Sequence, residues 1–269
     1  MEAASQAPRN TFRNFWEATG RVGVHEIVVV VVSFLIYFAI RGAVVDRAGE
    51  AMVRSIHLIE LEQRLHLYHE LRMQSWILDH YWLIKLMNWV YFWGHMPLVI
   101  VVAVWLYVWH RKAYFITRNA FLASGAIGVV IYWLFPVAPP RLIPFAGFID
   151  TMAAFDRVGY NAQEARAFVN PYAAVPSLHF GWSLLLAVIV AWISRRPAAY
   201  VFAFAWPVAM FFAVVMTGNH FILDAVAGAI VSFAGLGISF AIAHYCHWPD
   251  LRPGAGNGEQ RTGNSEPSA

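Results

Sequence analysis

Polar residues are so sparse along much of this chain that the hydrophobic pattern loses any period and becomes a series of long apolar runs. They extend over residues 27–45, 81–109, 113–135, 173–193, 198–216 and 221–245, each near the ~20 residues that carry a helix across the hydrocarbon of a bilayer. The first contains the β-branched stretch Val28 to Val32, which favours a strand by propensity. In lipid a backbone amide has nothing to bond except its own helix, so length overrides propensity. The run is also long for the apolar core of a signal peptide, and no small-residue cleavage site follows before Arg47 and Glu50. It is read as a retained first span of an all-α membrane protein with six transmembrane helices in a bundle.

Between the first two runs a helical period returns. Over 46–80, Val53, Ile56, Ile59, Leu61, Leu65, Leu67 and Leu71 alternate with Arg54, Glu60, Glu62, Arg64, Glu70 and Arg72, which predicts an amphipathic helix lying at the membrane interface. His57, His66, His69 and His80 fall in the same segment. His66 and His69 could in principle share a metal, but histidines at solvent or headgroup level are the stronger reading, and no metal or other cofactor is expected. Beyond the apolar runs the ends turn polar and have little to bury. The predicted organisation is an interfacial or disordered N-terminus over 1–21, one membrane domain over 22–248, and a disordered tail over 249–269, with no internal repeat.

Composition supports the same class. The chain is 59% hydrophobic and only 13% charged, outside the range of soluble domains. A net charge of +3 without a dense basic patch gives no nucleic-acid partner. Membrane lipids are the expected surroundings. The one cysteine, Cys246, excludes an intrachain disulfide and any multi-cysteine metal centre. Arg9, Arg13, Arg21, Arg111, Lys112, Arg195, Arg196, Arg252 and Arg261 place both termini and the two tight loops in the cytoplasm. The long connection from 41 to 80 carries Arg41, Arg47, Arg54, Arg64 and Arg72 as well, balanced by acids, where the charge rule is weaker. The predicted setting is the plasma membrane, with Arg141, His179, His220 and Asp224 near the outward-facing ends of their spans.

Ionisable side chains at membrane depth are costly and point to function. His220 and Asp224 stand four residues apart and share one helix face. A carboxylate there can take the imidazole N–H and leave the other ring nitrogen available to attack. A capping histidine beside a packing-buried aspartate has the same spacing. Pro176-Ser177 ahead of an apolar run reads as a helix start with Ser177 as N-cap. Its amides form an anion site, and His179 in the first turn is placed to give a proton to a leaving oxygen; ordinary capping explains the tetrapeptide equally well. Arg141 follows Pro136, Pro139 and Pro140, which halt a helix and hold a guanidinium at the surface, where it could equally meet lipid headgroups. Asn88, Tyr91 and His95 make a polar stripe on the second run, suited to a substrate pocket or to interhelical hydrogen bonds. Residues 137–172 mix Phe145, Phe148, Phe155 and Tyr160 with Asp150, Asp156 and Arg157, a composition for a lid or headgroup-selecting loop over the site.

Ala138-Pro-Pro-Arg141, Val175-Pro-Ser-Leu-His179 and Thr217-Gly-Asn-His220-Phe-Ile-Leu-Asp224 occur in one order and spacing. In these motifs the chain resembles the superfamily of type 2 phosphatidic acid phosphatases and vanadium haloperoxidases, in particular its inositol phosphorylceramide synthase-like phosphotransferases. The resemblance covers about residues 130–230 and leaves 46–80 outside. It implies His220 as a nucleophile that forms a phosphohistidine, Asp224 as its orienting partner and His179 as the acid for the leaving group. Arg141 and Ser177 would bind the phosphate, with Asn219, His95 and Tyr91 as further substrate-binding candidates. Three positions depart from the pattern: Leu178 replaces a glycine, Leu134 a lysine and Val214 an arginine. Two missing cations count against a dianionic phosphomonoester and favour a diphosphate, a phosphodiester or group transfer; Arg157 or Arg166 could supply charge. The expected protein is a metal-independent lipid phosphatase or phosphotransferase, with water or an alcohol or polyol as acceptor. A transporter and a non-catalytic scaffold are the rival classes.

Overall fold

The computed structural model describes residues 21–42, 47–156 and 171–245, and over these the chain is all-helical, apart from one isolated bridge between Val137 and Ala173. In chain order the helices are α1 (Arg21–Gly42), α2 (Ala48–Arg64), α3 (Glu70–Leu78), α4 (Tyr81–Trp89), α5 (His95–Trp109), α6 (Arg111–Leu134), α7 (Leu178–Ser194), α8 (Pro197–Met216) and α9 (Ile222–Tyr245). A π turn, Val90–Gly94, joins α4 to α5 without a break, so Tyr81–Trp109 forms one long element. The predicted tails, Cys246, Tyr160, Arg157 and Arg166 lie outside the described residues.

Among the described residues, four elements are long and apolar enough to cross a membrane: Tyr81–Trp109, α6, α8 and α9. The chain is therefore an integral membrane protein, with four such helices where six spans were expected. The run over 173–193 falls short because its first residues are not helical. Residues 173–177 instead approach α7 as irregular chain, leaving a 17-residue apolar helix. Helix α1 is tied to α6 by an ion pair between Glu26 and Arg118.

Segment 46–80 differs more from expectation. It forms two helices, and the turn between them passes through His66 at φ 55°. Their buried positions include Ser55, Glu62, Glu70 and Gln74, whereas Val53, Leu61, Leu65 and Leu71 are exposed. Both helices therefore carry polar and apolar side chains on each side, with Met73 and Ile77 buried beside Gln74, and Glu60, Arg64 and Arg72 exposed beside Leu61, Leu65 and Leu71. Near the start of α2, Arg47 and Arg54 donate to the carbonyls of Trp133 and Leu134, satisfying orphan acceptors at the end of α6. Ser55 Oγ has the carbonyls of Ala51 and Ala138 within reach of its one proton and accepts from the Ala138 amide at 2.9 Å. These bonds fasten α2 to the chain that leads to Arg141.

Helices α6, α7 and α9 pack on one another, with α8 against α7. Small residues permit this. A Cβ at Gly235 would stand 2.6 Å from the carbonyl oxygen of Ala120 in α6, so the pair requires glycine there.

Candidate active site

The chain leaves α6 at Leu134, as Pro136 and the following prolines require, and runs to a short 3₁₀ turn, Pro140–Leu142. The backbone of Arg141 is fixed by its amide, which donates to the carbonyl of Gly218 at 2.9 Å. Gly218 adopts φ +70° and has Arg141 Cβ 3.3 Å from where its own Cβ would be, so both conformation and space favour glycine. The Arg141 side chain donates from Nε to Asn219 Oδ1 at 2.9 Å and lies 3.8 Å from Asp150 Oδ2. Asn219 Nδ2 in turn donates to Thr217 Oγ1 at 2.7 Å, and that hydroxyl donates to the carbonyl of Ala213. The guanidinium is thus held by a relay that begins in the last turn of α8.

His220 lies between that relay and α9. Its Nδ1 has two acceptors, the carbonyl of Ala174 at 2.9 Å and Asp224 Oδ2 at 3.3 Å. Facing two acceptors, Nδ1 carries the proton, which leaves the lone pair on Nε2. Asp224 Oδ2 also accepts from the Phe221 amide at 2.8 Å, and its own carbonyl accepts from the Ser177 amide at 2.9 Å. One residue therefore orients the imidazole, caps α9 and anchors the start of α7. Its side chain is fully buried and His220 is 5% exposed.

Ser177 occupies the N-cap position of α7 with extended φ and ψ, but its side chain makes no capping bond. The expected capping hydroxyl is instead a buried oxygen with no hydrogen-bond partner among the described residues. Tyr132 fixes the approach by donating to the carbonyl of Pro176 at 2.7 Å. His179 follows in the first turn, its ring centroid 6.4 Å from that of His220.

The stripe on the second run divides. Asn88 exchanges hydrogen bonds with Thr151, a structural role. Tyr91 and His95 flank His179, with ring centroids 4.7 and 4.9 Å away. His95 Nδ1 pairs with Ser183 Oγ at 3.1 Å, so the nearest neighbours of His95 are protein groups on α7. The π turn immediately before His95 changes the helical phase at this point, as π turns near functional sites often do.

The site is recessed. His95 lies fourteen residues into the element that begins at Tyr81, about 20 Å along its axis at the rise of a helix. Above it, Gln74 of α3 joins the layers by accepting from the Ile149 amide and donating to the carbonyls of Ile149 and Met216.

At the departures from the family pattern, Val214 is fully buried in the core beside Met210 and Val215. Its carbonyl accepts from the amides of Asn219 and His220. Leu134 is 56% exposed. Leu178 packs its side chain 3.0 Å from the Cβ position of Gly128 on α6.

Two further residues were missed by the sequence reading. Glu70 Oε1 accepts from the Ile222 amide at 2.9 Å, and Glu62 Oε1 from the Leu223 amide at 2.8 Å. Their place in an amphipathic pattern disguised them as surface charges.

A family model described as the PAP2 superfamily matches residues 56–238, and the chain belongs to that superfamily. The match begins inside α2, so part of the 46–80 segment falls within it. Comparison with curated proteins and with solved structures gives no match. Membership makes the chain a candidate phosphatase or phosphotransferase for phosphate-containing substrates.

Proposed function

We propose that the protein is a membrane lipid phosphatase or phosphotransferase that works through a phosphohistidine on His220. The observation that carries this reading is the pair of acceptors at His220 Nδ1, which leaves a lone pair on Nε2 of a ring whose centroid is 6.4 Å from that of His179. In the proposed cycle Nε2 attacks phosphorus while His179 protonates the departing oxygen. Water or an alcohol, deprotonated by His179, then takes the phosphoryl group and frees His220. Arg141 and the first amides of α7 stabilise the charge on the equatorial oxygens. Asp224 stabilises the histidine as positive charge develops on it.

In this reading α1 and α7 complete six spans, and the outward apolar residues of α2 and α3 rest at the interface. The site faces away from the cytoplasm, as the positive loops suggest. With Leu134 and Val214 at two cation positions, a diphosphate or phosphodiester fits better than a phosphomonoester. This favours the inositol phosphorylceramide synthase-like branch.

The test is to incubate purified protein in detergent with chelator and a panel of lipid phosphomonoesters, diphosphates and phosphodiesters, with and without alcohol acceptors. Free phosphate identifies a phosphatase, and a new headgroup lipid a transferase. Silence across the panel would leave the transporter or scaffold readings. With the substrate so found, Asn219→Ala is expected to raise KM about tenfold with a smaller fall in kcat, because it releases Arg141 without touching His220. Steady-state kinetics would reveal this, and an unchanged KM would remove Asn219 from the phosphate site.

A further inference from the structure

Helix α9 begins with amides that have no partner in their own helix. Such groups are ordinarily capped by a neighbouring side chain. Here only Phe221 is capped locally, by Asp224; the Ile222 and Leu223 amides are taken by Glu70 and Glu62, from helices far earlier in the chain. Both glutamates are completely buried. Each uses Oε1 for its amide, and each keeps an Oε2 for which the described residues offer no donor. Because the two carboxyls take successive amides they lie side by side, and two buried acceptor-only carboxylates cannot bond one another without a proton between them.

We propose that Glu62 and Glu70 share a single proton and act as one positioning clamp for the turn that carries His220 and Asp224. This rests on the reading of those two residues given above. Full ionisation would bring two carboxylates together without water, beside a third, Asp224. One proton removes one charge and supplies the missing donor, and the remaining negative charge faces the positive end of α9. Burial, the hydrogen bond to Glu70 and the charge of Glu70 push the Glu62 carboxyl up to about 10, with Asp224 adding to the shift. Tyr68, in the turn between α2 and α3, is raised by burial and by both glutamates. The groups facing the pair are thus Asp224 from α9 and Tyr68 from the turn, with His220 beyond Asp224. At alkaline pH the proton leaves, the carboxyls repel, and the first turn of α9 loosens together with His220.

Three variants, Glu62→Gln, Glu62→Ala and Glu70→Gln, separate a positioning clamp from general packing. Infrared spectra of the wild-type protein should show a carboxylic-acid C=O band persisting to pH 8 and missing from Glu62→Gln. This needs no substrate, so it decides the shared proton even if the whole lipid panel is inert. On the substrate from the panel, Glu62→Ala should lower kcat about tenfold with KM little changed. Glu62→Gln, which keeps an acceptor for Leu223 and donates permanently to Glu70, should recover most of that loss. It should also extend the alkaline limb of the pH–activity profile, and Glu70→Gln should shift the same limb. A missing acid band in the wild type would overturn the shared proton. Glutamine as damaging as alanine, or an alkaline limb unmoved in Glu62→Gln, would overturn the clamp. So would a divalent ion bound stoichiometrically and lost in Glu62→Gln.

Discussion

His220→Ala is expected to lower turnover by at least about a thousandfold while leaving the fold intact. Among the described residues the imidazole bonds to Ala174 and Asp224, and neither depends on it for the packing of α7 against α9. The Ser177 amide bond to the Asp224 carbonyl and the Phe221 amide bond to Asp224 Oδ2 both persist without the ring. The variant should therefore retain thermal stability close to that of the parent. Rapid quenching with a substrate radiolabelled in the transferred phosphoryl group should give label on the parent that is stable in alkali and labile in acid, and none on His220→Ala. Label on the variant would place the nucleophile elsewhere. Asp224→Asn is the informative companion, because an amide can turn its NH₂ toward Nδ1 and favour the wrong tautomer. It should bind substrate and turn it over far more slowly.

The motifs around His220, His179 and Arg141 were legible because their spacing is local. Each sits at a helix end marked by proline, serine or glycine, and the hydrophobic runs showed that those ends belong to one bundle. The helix start at Pro176-Ser177 was legible, but the apolar run drawn from 173 overran it because apolarity signals burial, and residues 173–176 are apolar without being helical; the Ala174 carbonyl pairs with His220 instead. Glu62 and Glu70 were missed for a different reason. Their partners are the Leu223 and Ile222 amides, and a backbone amide leaves no trace in a sequence. The usual inference from a charged residue in a periodic helix is solvent exposure, whereas Glu62 and Glu70 are buried while Glu60, Arg64 and Arg72 of the same helices are exposed. Tyr91 and His95 were visible as a polar stripe, but the phase change at Val90–Gly94 that turns both toward His179 was not.

Gly228→Ala tests how far the geometry of the site depends on backbone contact rather than on side chains. A Cβ at 228 would stand 2.8 Å from the carbonyl carbon of Ser177 and closer still to its oxygen, and one at Gly181 would stand 2.7 Å from the Gly228 carbonyl carbon. The two helices touch through main chain at both glycines, and main chain cannot rotate aside as a long side chain would. The added methyl must push α7 from α9 directly behind Ser177. That strains the bond from the Ser177 amide to Asp224 and displaces His179 from His220. Overpacking of this kind costs about 1–3 kcal/mol, and an ångström of misplacement between reacting groups can cost about a hundredfold in rate. Gly228→Ala should therefore lower the unfolding temperature in detergent and reduce kcat more than it raises KM. Gly237→Ala is the control, since nothing lies within 4 Å of its Cβ position. On the same helix that change should leave activity unaltered and add up to about 1 kcal/mol of stability, because alanine is the better helix former. Matching behaviour of the two variants would show that the α7–α9 crossing is loose, and that something other than backbone contact sets the distance between the two histidines.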